Sequence, residues 1–274
     1  MDYGDNMITL IKYLFLAIIQ GLTEPIPVSS SGHLIIFRNL INMKELNDLN
    51  FEILLNFGSL IAIVIFFWDD IISIIKDFFS YIKTKEKKYE GNFKYAWLIV
   101  IGTIPAGLLG LLLKDTIEEW LNGVKIVGFA LLVTALCLFL VRNIKGKKDD
   151  KDITWWDAIV IGLFQAVALL PGISRSGATL VGGMSRNLKR DTAFKFSFML
   201  YIPISLATMI LGVKDLLVAQ ISLNLWMCYI ACMIVTGIIT YFATKWFNGI
   251  IKNGKLIYFV FYCLIVGTLV ILFL

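Results

Sequence analysis

The sequence predicts an all-α polytopic membrane protein: six transmembrane helices plus two re-entrant helical hairpins in an inverted-topology repeat. Three observations predict it. Hydrophobic residues fill 58% of the 274 positions, and the mean hydropathy of +0.81 lies well outside the range of a soluble domain. One polar phrase, a glutamine followed after eight residues by Ser-X-Ser-Gly, interrupts the apolar runs twice, at Gln20 to Gly32 and at Gln165 to Gly177. Third, the basic residues gather in a subset of the loops.

The apolar segment Ile8–Gln20 is followed at once by Glu24, Pro25 and Pro27. Prolines and a carboxylate at that depth predict a helix that enters the membrane, breaks over Pro25–Gly32 and returns as Leu34–Ile41, because irregular backbone is tolerated there only under cover of protein or a cavity. Phe51–Trp68 reads as the first full span, closed by an interfacial tryptophan before Asp69 and Asp70, and Ile71–Lys94 as a lysine-rich amphipathic loop. Tyr95–Leu113, kinked at Pro105, and Val124–Val141 are the next two spans, joined by the acidic turn Lys114–Glu119. A charged linker over residues 143–153 then separates a first repeat, about 8–142, from a second, about 154–274, within one membrane domain. The second repeat opens on the hairpin Trp155–Leu188 and continues with the spans Ala193–Leu211, Leu223–Trp246 and Leu256–Phe273.

Three spans and a hairpin per half make an odd number of crossings, so the second half is expected upside down relative to the first. Charge agrees. The loops that this topology puts on one side hold 18 of the 25 lysines and arginines, which predicts that side to be cytoplasmic and the first hairpin to open outward. The net charge of +5 is therefore read as membrane orientation and not as a nucleic-acid surface. Cys137, Cys228, Cys232 and Cys263 all lie in apolar runs, where they read as small buried hydrophobes. The acidic start Met1–Asp5 has no basic region or cleavage site, so no signal peptide is expected to be removed.

The chemistry is divided between the two copies of the phrase. Pro171-Gly-Ile-Ser-Arg-Ser-Gly-Ala-Thr179 carries a guanidinium flanked by hydroxyls, and an arginine at membrane depth costs at least ~2.5–3.5 kcal/mol unless it meets water, a counter-charge or a ligand. Arg175, Ser174, Ser176 and Thr179, with glycines that let backbone N–H groups approach, suit phosphate or pyrophosphate. An ion pair with Glu24 is the structural alternative for Arg175. In a gapless alignment Glu24 faces Leu169, His33 faces Ala178 and Ser30 faces Arg175, so one copy holds acid and base and the other the cation. His33 is the only histidine in the chain, set among Ser29, Ser30 and Ser31, which is the minimum for an activated oxygen nucleophile. Helix capping is the bland reading of Ser29. Gln20, Glu52 and Asn56 are candidates for the cavity wall at its outward mouth.

These residues resemble a family. Gln20-X-X-X-Glu24 with Pro27-Val-Ser-Ser-Ser-Gly-His33, together with Pro171 to Thr179, resembles the two signature motifs of the integral-membrane undecaprenyl pyrophosphate phosphatases, linked to bacitracin resistance. Phe51-Glu52, Ile104-Pro105-Ala106-Gly107, Phe196-Ser197-Phe198 and Ile202-Pro203 extend the resemblance along nearly the whole chain. It implies hydrolysis of undecaprenyl pyrophosphate to the monophosphate and inorganic phosphate, which recycles the lipid carrier of peptidoglycan synthesis. It also implies a divalent cation, Mg²⁺ or Ca²⁺, a multi-pass protein of the cell membrane and a site open to the extracytoplasmic side. Carried over by position, Glu24, Ser30, His33 and Arg175 are catalytic, Gln20, Ser29, Ser31, Ser174, Ser176 and Thr179 bind substrate, and Glu24 holds the metal. This chain departs from the family pattern at Gln20, where many members have glutamate, and at Lys195 and Cys263. Ser30 is the preferred nucleophile with His33 as its base, and His33 itself or water is the alternative. A lipid flippase or anion transporter using the same phosphate site is the rival function, and homodimerisation is left open.

Overall fold

The computed structural model describes residues 3–41, 43, 49–120, 123–219 and 221–274, and among them the regular structure is helical. The first half contains α1 (Tyr3–Thr23), α2 (Ser30–Leu40), α3 (Leu49–Phe66), α4 (Trp68–Thr84), α5 (Glu90–Trp120) and α6 (Val124–Val141). The second contains α7 (Trp155–Val167), α8 (Arg175–Ser185), α9 (Arg190–Val218), α10 (Leu223–Lys252) and α11 (Ile257–Phe273).

The chain is a multi-pass membrane protein. Four segments, Lys87–Leu113, Val124–Val141, Arg190–Lys214 and Leu223–Lys252, are long and apolar enough to cross a bilayer, and a fifth is counted if α3 and α4 form one bent span. Their axes differ by 73°, and α11 is a shorter apolar helix of 17 residues. Three expectations change. The segment after Trp68, read as a loop, is the helix α4, whose lysines share its surface with exposed Ile75, Phe79 and Ile82. The acidic turn at 114–119 is instead the end of α5, which also runs through Pro105 as one helix. The first break is shorter than expected, because α2 begins at Ser30 and not after Gly32.

Helix partners in the two halves correspond: α1 packs along α10 as α7 packs along α5, while α6 meets α11 and α3 meets α9. Lipid gives no hydrophobic force between helices, so small residues and hydroxyls must bring them close. At Gly128 and Gly267 a Cβ would come within 2.7 Å of Ile271 and 2.8 Å of the Gly128 carbonyl, which only glycine permits where α6 crosses α11. A Cβ at Gly162 would stand 2.3 Å from the Gly102 carbonyl between α7 and α5. On the first-half side Thr236 donates to the Ala17 carbonyl at 3.0 Å, and the Ser59 and Thr240 hydroxyls meet at 3.0 Å.

At the charged ends of these helices the linker is fastened to the second hairpin. Lys147 and Lys148 donate backbone N–H to the Asn187 carbonyl at 2.8 and 3.0 Å, and Lys189 returns one to Lys148 at 2.9 Å. Fully buried Asp157 accepts from Lys148 at 2.7 Å and from Arg186 at 2.8 Å. Burial alone would raise its carboxyl, but Lys148, Thr154 and Arg186 outweigh it and hold the group at about 2. Lys195 adds ion pairs to Asp70 at 2.5 Å and Asp150 at 3.2 Å.

Candidate active site

Each copy of the repeated phrase folds into a short turn that starts an inward helix. In the first, Ser29 caps α2 by accepting from Gly32 N at 3.3 Å, and in the second Ser174 caps α8 by accepting from Gly177 N at 3.1 Å. The paired serine and glycine are thus a capping device used twice: the serine oxygen satisfies a first-turn N–H and the glycine keeps that turn uncrowded. The two turns are tied together, since Ser176 Oγ donates to the Ile26 carbonyl at 3.0 Å across 150 residues of chain. Both helix N-termini, the positive ends of their dipoles, therefore face one place.

That place is a chamber of about 80 Å³, to which Gln20, Glu24, Ser29, Ser30, Ser31, Ser174, Arg175, Ser176 and Thr179 all contribute. Every binding residue expected from the sequence is on its wall, along with Glu52 and Asn56 of α3. Ser30 Oγ donates to Glu24 Oε2. Gln20 Nε2 also reaches Glu24 Oε2, at 2.9 Å, and Asn56 Oδ1 at 2.8 Å. Arg175 Nη1 donates to Ser205 Oγ at 3.0 Å, with the guanidinium carbon 5.3 Å from the centroid of the Tyr201 ring. Among the described residues no ion pair joins Glu24 to Arg175, so the structural alternative for the arginine is not taken up. The carboxylate at the rim, Glu52, is held by Arg38.

His33 is the exception. It is buried, Nδ1 lies 2.8 Å from the Ser29 carbonyl and Nε2 2.7 Å from the Tyr262 hydroxyl, and it lines a different space. This is an apolar groove of about 640 Å³ bordered by Val28, Phe37, Phe242, Trp246 and Phe259. The expectation that His33 takes the proton of Ser30 is not met in this geometry. The two residues are neighbours on the surface of α2, three positions apart, but both imidazole nitrogens are engaged away from Ser30, Nδ1 at the Ser29 carbonyl and Nε2 at the Tyr262 hydroxyl of α11. The proton acceptor beside Ser30 is Glu24.

Sequence reasoning missed the wall supplied by α9. Ser197 and Tyr201 line the chamber, and Ser205 holds Arg175. Polar residues at four-residue spacing in an otherwise apolar span were the available signal.

A divalent cation is implied by the family resemblance, and the donor set can be checked against it. No group of three or more His, Cys, Asp or Glu side chains comes together among the described residues. Glu24 offers a carboxylate, and the buried Gln20 Oε1 has no hydrogen-bond partner and is a free hard oxygen. Two protein oxygens fit an ion that takes the rest of its shell from phosphate and water, as Mg²⁺ does.

Residues 13–269 match the family profile described as "Bacitracin resistance protein BacA". The chain is 46% identical over 265 residues to "Undecaprenyl-diphosphatase 2" of Bacillus thuringiensis strain Al Hakam, covering 97% of this chain and 98% of that one. It is 43% identical over 276 residues to "Undecaprenyl-diphosphatase" of Oceanobacillus iheyensis, with both chains fully covered. It is 41% identical over 271 residues to "Undecaprenyl-diphosphatase 1" of Halalkalibacterium halodurans, covering 99% and 98%.

Proposed function

We infer the reaction from a premise the comparisons supply: the chain belongs to the bacitracin resistance protein BacA family. It is a membrane hydrolase that removes the terminal phosphate of undecaprenyl pyrophosphate. The observation that carries the reading at the level of residues is the Ser30–Glu24 hydrogen bond facing Arg175 across the meeting point of two helix N-termini.

In the proposed mechanism Arg175, the chamber hydroxyls and the N–H groups that open α2 and α8 hold the pyrophosphate and take up charge as the terminal phosphoryl group transfers. Ser30 Oγ attacks the terminal phosphorus and passes its proton to Glu24. The bridging P–O bond breaks, and undecaprenyl phosphate leaves with the electron pair. Glu24 surrenders that proton to the departing undecaprenyl phosphate, and water then attacks the phosphoserine as Glu24 accepts its proton and passes it to the leaving Ser30 Oγ, so that inorganic phosphate is released and Ser30 and the Glu24 carboxylate are restored. A Mg²⁺ or Ca²⁺ ion held by Glu24 and Gln20 Oε1 would neutralise phosphate charge. His33 anchors α2 to Tyr262 in this scheme and positions Ser30 through the helix.

The chamber's position beside Glu52 and Asn56 at the start of α3, with the lysine-rich loops at the other side, supports an opening toward the extracytoplasmic face of the cell membrane. The matched helix partners of the two halves support an inverted repeat with six spans and two hairpins. A flippase or carrier has no use for a hydroxyl activated by a carboxylate, which favours the enzyme over the transporter.

Purified protein in detergent with Mg²⁺ or Ca²⁺ is expected to release inorganic phosphate from undecaprenyl pyrophosphate, and Ser30→Ala to lose well over tenfold in kcat. A variant that retains more than about a tenth of turnover, a loss under ~1.4 kcal/mol, would move the attack from Ser30 to water activated by Glu24.

A further inference from the structure

Helix α9 gives the chamber a polar stripe of which the mechanism above leaves one member unemployed. Ser197, Tyr201 and Ser205 succeed one another at four-residue spacing and so lie along one face of the helix. The two serines are satisfied, Ser197 by Thr179 and Ser205 by Arg175. Tyr201 between them is not. It lines the chamber and is 7% exposed, and its hydroxyl, with Glu24, Arg175 and Ser205 near it, makes no hydrogen bond of normal length and angle to any of them. A buried phenol ordinarily finds a partner, since an unpaired polar group costs about 1–3 kcal/mol. The orphan therefore points to something that enters the chamber.

The surroundings specify the chemistry of that group. The Arg175 guanidinium rides over the Tyr201 ring, so cation and phenol are fixed relative to each other and face the same volume. Two helix N-termini converge there. A visitor that suits them all is an anion with several acceptor oxygens, and a phenol meets such a group as a donor.

We propose that the Tyr201 hydroxyl donates a hydrogen bond to a phosphoryl oxygen of the substrate, on the same phosphoryl group that Arg175 grips. Tyr201 is thereby a substrate-contacting residue supplied by α9, outside both repeated motifs. The inference rests on the phosphatase reading for the identity of the substrate, but the contact itself needs only a phosphate-type anion.

The test uses Tyr201→Phe, which keeps the ring under Arg175 and deletes only the hydroxyl. Tyr95→Phe is the control, because that phenol also has no partner but sits in the hydrophobic core away from the chamber. Two readouts are taken on the full chain in detergent: KM and kcat for undecaprenyl pyrophosphate, and calorimetric binding of inorganic pyrophosphate. Tyr201→Phe is expected to raise KM and weaken pyrophosphate binding by about tenfold each, ~1.4 kcal/mol, with elution and melting as in the parent, while Tyr95→Phe changes neither constant. Equal pyrophosphate affinity in parent and Tyr201→Phe overturns the proposal, as does a parent that does not bind pyrophosphate. A parent that binds pyrophosphate through Tyr201 yet releases no phosphate from the lipid would refute the phosphatase reading and leave the contact standing.

Discussion

The two hairpins are built on one phrase and solve the same turn differently. At the tip of the second, the left-handed backbone falls on Gly172 (φ 90°), and the capping Ser174 is extended (φ −72°, ψ 121°). At the tip of the first, proline occupies the flanking positions and the left-handed residue is Ser29 itself (φ 67°), directly before Ser30. A non-glycine residue in that region costs of order 1–3 kcal/mol and persists only where its surroundings over-determine it. The relaxed hairpin carries the cation, and the strained one carries Ser30 and the carboxylate, the nucleophile and base of the proposed mechanism. The difference teaches that one phrase can build both turns, while the Ser30–Glu24 pair sits in the copy whose backbone is held most tightly.

Removing the cation breaks the division most severely. Arg175→Ala is expected to lower kcat/KM by about 10²–10³-fold, since a well-placed donor to a developing oxyanion is worth roughly 3–4 kcal/mol. If the loss in a phosphate-release assay is under tenfold, the second hairpin only supports the first. His33→Ala should come next, with at least a tenfold fall in kcat. Because Glu24 is the group facing Ser30, the acidic limb of the pH–rate profile should stay where it is in the parent. A displaced limb would return the base to His33.

The backbone contrast is sharpened by stability. Gly172→Ala forces a Cβ to 2.8 Å from Ala130 at a positive φ and is expected to cost about 2–4 kcal/mol, whereas Ser29→Gly relieves strain as it loses a cap and should stay within about 1 kcal/mol of the parent. Thermal melts in detergent decide, and equal losses would dissolve the distinction. The smallest effect concerns the charged lock on the second hairpin. With Asp157 depressed to about 2 from its usual 3.8, its contribution is fully present above about pH 4 and disappears as pH falls toward 2. Asp157→Asn should lower the melting temperature at neutral pH and flatten its decline below about pH 4. A variant whose decline parallels the parent's would take this carboxyl out of the acid response.

How far the sequence could be read depends on the kind of signal. The long apolar runs located α5, α6, α9 and α10, and the repeated phrase located both turns and brought residues 145 positions apart to one chamber. Local charge misled at two places. The lysines of α4 looked like a loop although the segment is a helix that sets them beside exposed Ile75, Phe79 and Ile82, and the carboxylates at 114–119 looked like a turn although α5 runs past them. The direction that the His33 ring takes was not legible, because the hydroxyl that holds it belongs to Tyr262, 229 residues further along the chain. Tyr201 escaped because the four-residue spacing of Ser197, Tyr201 and Ser205 marks a polar face of α9 but not what that face meets until the partner helices are in place.

The hydrogen bond from Ser176 to the Ile26 carbonyl has a consequence for how the protein is made. The first hairpin leaves the ribosome about 150 residues before the segment that completes it, at a synthesis rate of roughly 5–20 residues per second. For roughly 8–30 seconds the Ile26 carbonyl and the Glu24 carboxylate wait at the bilayer without Ser176 or Arg175 to face. The nascent half must be shielded by water, lipid headgroups or the insertion machinery until its counterpart arrives, so the interval between the two hairpins is a window in which quality control can discriminate a chain destined to assemble from one cut short.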